Sequence, residues 1–238
     1  MVTQIELGGV VLDVVKKDIQ NIHLSVYPPT GRVRLAAPTR MKLDTIRLFA
    51  ISKLAWIKQQ QKKLREQERE SAREYLDRES HYVWGRRVLL KLVEADVPPS
   101  VQLHHSKLRV SVRPGTDEAG REAIVSNWYR QLLKAEVPGL IETWAPRLGV
   151  AVYGFYVQQM KTRWGSCNAI AGTLRLNTEL AKKPRACLEY IVVHEMSHLL
   201  EPTHGPRFVA VMDRCMPTWR ETRALLNKLP ARHERWDY

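Results

Sequence analysis

The order in which hydrophobic periods follow one another along the 238 residues predicts an α+β fold. Three observations carry that expectation. Apolar residues alternate with polar ones from Ile5 to about Ala37, the spacing turns helical at Leu43, and after a second stretch of alternation helical spacing dominates from about Glu118 onward. The chain is expected to divide into a β-rich N-terminal region, 1–115, carrying a long basic helix at about 41–78, and a more helical domain, 116–238.

Taken in order, Val10–Val15, Ile22–Tyr27 and Val33–Ala37 read as strands, with Pro28-Pro29-Thr30-Gly31 as a turn between the last two. His23 falls on the polar face of its strand and reads as a surface residue. Pro38-Thr39-Arg40 ends the sheet. Ile46, Leu48, Phe49, Ala50, Leu54 and Ile57 then suit a helix packed on one side, and Gln59 to Glu70 is polar enough to be its solvated continuation. Next come two hairpins, one across His81–Val93 turning at Gly85, the other across Val101–Val112 turning at His105 and Ser106. Adjacent strand residues face opposite ways, so His104 and His105 cannot easily share a metal. Helices are predicted from about Glu118 to Ala135 and from Val137 to Leu148, with Ile124, Trp128, Leu132 and Leu133 as core, and Val150–Val157 returns to strand. Beyond it, Thr173–Asn177 alternates as an edge strand should, Arg207–Met212 is an amphipathic helix, and Pro217 opens another through Leu226. The tail Trp236-Asp237-Tyr238 either docks on the body or serves a partner. No internal repeat and no glycine-rich phosphate loop is visible.

The chemistry concentrates in Tyr190-Ile191-Val192-Val193-His194-Glu195-Met196-Ser197-His198-Leu199-Leu200. On an α-helix His194 and His198 stand about 40° apart, so both imidazoles can reach one metal ion, while Glu195 sits at the edge of that face. From there its carboxylate can reach a water without becoming a ligand, as in zinc hydrolases with a glutamate base. The apolar flanks predict a buried, rigid mount. Catalytic zinc usually takes three protein ligands, and His204 is the candidate for the third. In a continuing helix it would point roughly 240° away from His198, but Pro202 predicts that the helix ends near Leu200, letting the chain swing His204 back. Glu201 is the alternative ligand.

Composition sets outer limits. There is no run of eighteen apolar residues, and the N-terminus lacks a basic stretch followed by an apolar one, so a cytoplasmic protein with no membrane partner is expected. Cys167, Cys187 and Cys215 form no even set and no Cys-x-x-Cys, which suits reduced thiols. A net charge of +13, from 38 Lys and Arg against 25 Asp and Glu, favours anionic partners such as nucleic acid, or else reflects a basic, soluble surface.

Lys161-Thr162-Arg163-Trp164-Gly165-Ser166-Cys167 and Gly172-Thr173-Leu174-Arg175-Leu176-Asn177, followed by the His194/His198 helix and by His204, Pro206 and Phe208, resemble the YgjP-like metallopeptidases, relatives of the WLM and SprT-like proteases. The resemblance extends more loosely over most of the chain. It implies a minimal zincin-type metallopeptidase domain, a small sheet against active-site helices, in which His194, His198 and His204 bind Zn²⁺ and Glu195 is the base acting on a peptide or protein substrate. Some of these relatives act on DNA-bound proteins, which makes a DNA-recruited protease, or a zinc-containing binding module without peptidase activity, the second expectation. An edge strand at Thr173–Asn177 could pair with an extended peptide, with Arg163, Leu174 and Asn177 as substrate contacts and the Trp164–Cys167 turn bracing the helix. Cys167 as a nucleophile is the rival idea, against a structural thiol.

Overall fold

The computed structural model describes residues 2–27, 30–66, 73–160 and 163–230. The chain separates near residue 70 into two compact units, the second running over Ser71–Leu229.

In the first unit β1 (Val2–Leu7) and β2 (Val10–Lys17) form a hairpin over Gly8 and Gly9, both at positive φ, where glycine carries no steric penalty. β3 (His23–Tyr27) and β4 (Arg32–Pro38) form a second antiparallel pair, and β2 runs parallel to β4, giving the order β1-β2-β4-β3. Of the proline turn between β3 and β4, Pro28 and Pro29 lie outside the described residues; Gly31 donates from its N–H to the Tyr27 carbonyl at 2.9 Å. Leu12, Val33 and Leu35 meet Ile46, Ala50 and Ile57 in one apolar core. The helix expected at about 41–78 is two shorter ones, α1 (Leu43–Ser52) and α2 (Leu54–Glu66). Lys53 breaks the run at φ −104°, ψ 1°, and its N–H turns back to the Ala50 carbonyl at 3.1 Å. Polar positions 67–70 of the expected continuation lie outside the described residues, and 73–79 are irregular, with Tyr75 and Arg78 at positive φ.

The second unit opens with β5 (Ser80–Val83), β6 (Arg86–Glu94), β7 (Ser100–His104) and β8 (Lys107–Val112), ordered β5-β6-β8-β7. The hairpins turn where expected, at Trp84–Gly85 (φ 51° and 79°) and at His105 (φ 49°). Antiparallel, parallel, antiparallel pairing repeats the pattern of the first sheet, so a duplicated topology underlies a chain without a visible sequence repeat. The inner face, with Val88, Leu90, Leu108 and Val110, joins the same apolar core as the later helices. That core has members on both sides of residue 115, and the two compact units divide near residue 70.

Two helices were expected over 118–148, yet α3 (Glu118–Leu148) is continuous through Pro138. A mid-helix proline removes one backbone bond and costs about 3 kcal/mol. Here Val125, Tyr129, Leu133 and Val137 before it, and Trp144 and Leu148 after it, are all buried along one face, so packing on both sides holds the helix together. Asp117 caps its start by accepting from the Gly120 N–H at 2.8 Å, and Gly149 ends it in the left-handed conformation.

A third sheet follows from β9 (Gly154–Gln158), β10 (Gly165–Asn168) and β11 (Thr173–Asn177). Its order is β10-β11-β9, so Thr173–Asn177 is the central strand rather than an edge. A short 3₁₀ helix (Thr178–Lys182) leads to α4 (Arg185–Ser197), and α5 (Pro206–Cys215) and α6 (Trp219–Lys228) complete the unit. The first hairpin of this unit clips onto the approach to α4: the N–H groups of Trp84 and Gly85 donate to the carbonyls of Ala181 and Lys182 at 2.9 and 3.1 Å. Among the described residues, no helix is long and apolar enough to cross a membrane. The tail Trp236–Tyr238 lies outside the described residues.

Candidate metal centre

α4 is buried on nearly every side, with Val192, Val193 and Met196 wholly inaccessible. That burial fixes the helix along which His194, Glu195 and His198 project. The helix ends at Ser197, with His198 as its C-cap, and the N–H groups of Leu200 and Glu201 turn back to the Ser197 carbonyl. The turn brings His204 back over the helix end. Nε2 of His204 lies 3.0 Å from Nε2 of His194, and one ligand nitrogen from each of His194, His198 and His204 falls within 4.8 Å of the others.

Phe208, 2% exposed, sits against all three imidazoles, at ring-centroid distances of 4.9, 4.7 and 4.8 Å. This apolar floor restricts ring rotation and withholds competing hydrogen bonds. His198 is further set by its Nδ1, 3.0 Å from the Glu201 carbonyl, which accepts the Nδ1 proton and leaves the Nε2 lone pair to face the other rings. Glu201 serves through its backbone; its carboxylate lies 3.9 Å from Arg207, and the cluster able to hold a metal is the histidine trio.

The donor set fits a divalent cation. At Zn–N distances of 2.0–2.1 Å, tetrahedral ligand nitrogens stand about 3.3 Å apart, close to the 3.0 Å between His194 and His204. At that distance the two Nε2 atoms either share one N–H···N hydrogen bond or turn both lone pairs toward a common cation. Protonation is disfavoured. Burial, reinforced by the neighbouring His198 and His204 and by Arg223, pushes the His194 pKa down to about 3, and burial followed by His198 and Arg223 lowers His204.

Glu195 is 6% exposed. Desolvation raises its pKa to about 7, against the opposing pull of the Arg163 guanidinium. Its neighbour across the cleft is Gly165. A Cβ at that position would lie 2.7 Å from both Cγ and Oε1 of Glu195, so only glycine lets strand β10 pass this close to the carboxylate. The Trp164–Cys167 segment is thus the start of an edge strand against α4, and Gly165, Ser166 and Cys167 line a cleft of about 890 Å³ that contains the three histidines and Glu195. Burial, then Glu195, raises the Cys167 thiol pKa, opposite to what a nucleophilic thiolate requires.

The three expected substrate contacts separate. Arg163 is exposed and lines the cleft. Leu174 is fully buried, facing the core from the central strand. Asn177, 5% exposed, donates to the carbonyls of Met160 and Arg163, both at 2.8 Å, and accepts from the N–H groups of Met160 and Glu179. With all four of its side-chain hydrogen bonds spent on the backbone, it holds the approach to β10 and positions Arg163. Three lining residues had no motif to reveal them: Trp219, Arg223 and Asn227 lie four apart on α6 and line the same cleft as Gly165, Ser166 and Cys167.

The model of the YgjP-like family, described as a metallopeptidase domain, matches residues 20–229. The chain belongs to the YgjP-like family. This membership makes a metal-dependent peptidase the coarse activity class, and the match runs across both units. No curated protein matches. Among solved structures, the metallopeptidase zymogen abylysin of Pyrococcus abyssi is 21% identical over 41% of this YgjP-like chain and 99% of its own, with a TM-score of 0.36. The zymogen jannalysin of Methanocaldococcus jannaschii is 19% identical over 38% and 93%, with a TM-score of 0.34.

Proposed function

We propose that the protein is a zinc peptidase in which His194, His198 and His204 hold the ion and Glu195 is the general base. The observation that carries this reading is the convergence of three imidazoles, with burial disfavouring the charged forms of His194 and His204, beside a buried carboxyl that is not one of them. Zinc bound there would supply a Lewis acid that polarises the scissile carbonyl and acidifies a water. Glu195 takes a proton from the attacking water on a carboxylate oxygen and delivers it to the leaving amine. Burial holds the metal-free pKa of this carboxyl up near 7, and a bound cation would lower it toward the proton-accepting form. Arg163 favours the charged, proton-accepting form. β10, at the edge of its sheet and along the cleft, is the strand on which an extended peptide substrate would pair. In the zinc-loaded full chain, Glu195→Gln should retain the metal by elemental analysis yet lose peptide cleavage, and His198→Ala should lose the metal. Normal turnover by Glu195→Gln would overturn the assignment.

A second reading, nucleic-acid association, is favoured by the outward face of the sheet β5-β6-β8-β7. Lys91 and Arg109 are paired in register there, Lys107 and His104 form the next row, and Arg87 stands opposite Tyr82, all exposed. Cations interleaved with an aromatic suit a phosphate backbone with a stacked base. Binding of single-stranded DNA that weakens steeply with salt would support DNA recruitment, and no binding at low salt would refute it.

A further inference from the structure

Trp219, which opens α6, has two guanidiniums near its indole ring. Arg220 lies 4.6 Å from the ring and Arg223 6.0 Å. Their electrostatic situations differ. Arg220 is forked onto both carboxylate oxygens of Asp213, which also accepts from the Trp219 indole N–H at 2.7 Å. Arg223 has no acidic partner within ion-pair distance among the described residues, and it lines the cleft with the three histidines. Its charge is felt at Tyr190, His194 and His204, so it stands near the metal centre rather than on a remote face.

The remaining lining sharpens the asymmetry. Arg163 brings a second guanidinium, Asn227 a neutral amide, and the one carboxyl among the described lining residues, Glu195, is buried beside Gly165. The cleft is therefore cationic before any metal adds two further charges. A guanidinium steadied against an indole and lacking a counter-ion offers a planar fork of donors that matches a carboxylate.

We infer that Arg223 is a specificity-determining residue that receives a carboxylate of the substrate, so that the cleft selects peptides acidic close to the cleaved bond. This rests on the peptidase reading. The carboxylate could belong to an aspartate or glutamate side chain or to the peptide C-terminus, which share the same recognition chemistry. Charged hydrogen bonds at a partly exposed site correspond to about a tenfold preference.

The test uses the zinc-loaded full chain and matched peptides carrying Glu, Gln or Lys at each position around one cleavable bond, each with a free and an amidated C-terminus. The quantity read is the Glu-to-Gln ratio of kcat/KM. It should be about ten for the wild type, fall to about one in Arg223→Gln, turn in favour of Lys in Arg223→Glu, and stay as in the wild type in Arg220→Gln, whose charge Asp213 already neutralises. Sensitivity to amidation in place of the Glu/Gln exchange assigns the site to the terminal carboxylate. A wild-type chain indifferent to both changes, or an Arg223→Gln chain that keeps the preference, overturns the inference. Binding of the same peptides to zinc-loaded Glu195→Gln, followed by tryptophan emission, reads the preference without turnover. If the wild type cleaves no peptide, the peptidase reading fails, while equal affinities for Glu, Gln and amidated peptides are what defeat the role of Arg223.

Discussion

Replacing Glu195 by glutamine removes one ionisable group from a place where burial penalises its charge, and the effect on stability should depend on pH in a definite direction. The carboxyl is 6% exposed, and its pKa rises from an ordinary 4.5 to about 7. Between those values the folded metal-free chain holds a proton that the unfolded chain has released, so stability falls as pH rises, by up to about 1.4 kcal/mol for each pH unit. From pH 4.5 to about pH 7 the loss accumulates to about 3 kcal/mol, and above that it is complete. His194 contributes the opposite slope: with its folded pKa lowered to about 3, stability is lost as pH falls below 6.5. It is present in both proteins and cancels in the comparison. Chemical denaturation of chelator-treated wild type and Glu195→Gln, followed by tryptophan emission from about pH 4 to about pH 8, should show the advantage of the glutamine protein growing by about 3 kcal/mol across that range. Saturating zinc should shrink the growth, because a nearby cation favours the carboxylate. A difference that stays flat with pH in the metal-free chain would refute the argument that desolvation governs this carboxyl.

Two further substitutions separate geometry from chemistry. Gly165→Ala should push the Glu195 side chain out of place, lowering kcat/KM at least about tenfold for a stability cost of about 1–3 kcal/mol, and a zinc content equal to that of the wild type would show that the metal centre itself survives. Asn177→Ala should cost about 2–4 kcal/mol by leaving the carbonyls of Met160 and Arg163 and the N–H groups of Met160 and Glu179 without their side-chain partner; unchanged stability in urea would show that water replaces it freely.

The convergence of the three histidines is the most legible feature of the sequence because its information is local. The four-residue step between His194 and His198 fixes their relation on a helix, Pro202 marks where that helix must end, and six residues suffice to bring His204 back. The misreadings arise where the deciding partner is far along the chain. Alternation at Thr173–Asn177 identifies a strand, but nothing in those residues states that β10 and β9 flank it on both sides, and with that the roles of Leu174 and Asn177 change from substrate contact to core and clamp. Pro138 looks like a helix boundary until Val137, Trp144 and Leu148 are seen to share one buried face. Core membership across position 115 is equally non-local, since Leu90 and Leu108 belong to one apolar core with residues more than eighty positions later, such as Val192 and Val193.

The same contrast explains why α6 escaped notice. Trp219, Arg223 and Asn227 reach the cleft by ordinary helical spacing, and an arginine in a basic chain carries no mark that distinguishes it from the others. What distinguishes it is the pairing of Arg220 with Asp213, the carboxylate that also accepts from the Trp219 indole, while Arg223 lines the cleft. Selectivity in such a site is thus set by which cations the fold leaves without a counter-ion. Supplying one, as with Asn227→Asp one turn beyond Arg223, should weaken the preference for acidic peptides almost as far as removing Arg223 does, and a Glu-to-Gln ratio of kcat/KM unchanged from the wild type in that variant would show that the guanidinium does not face the substrate.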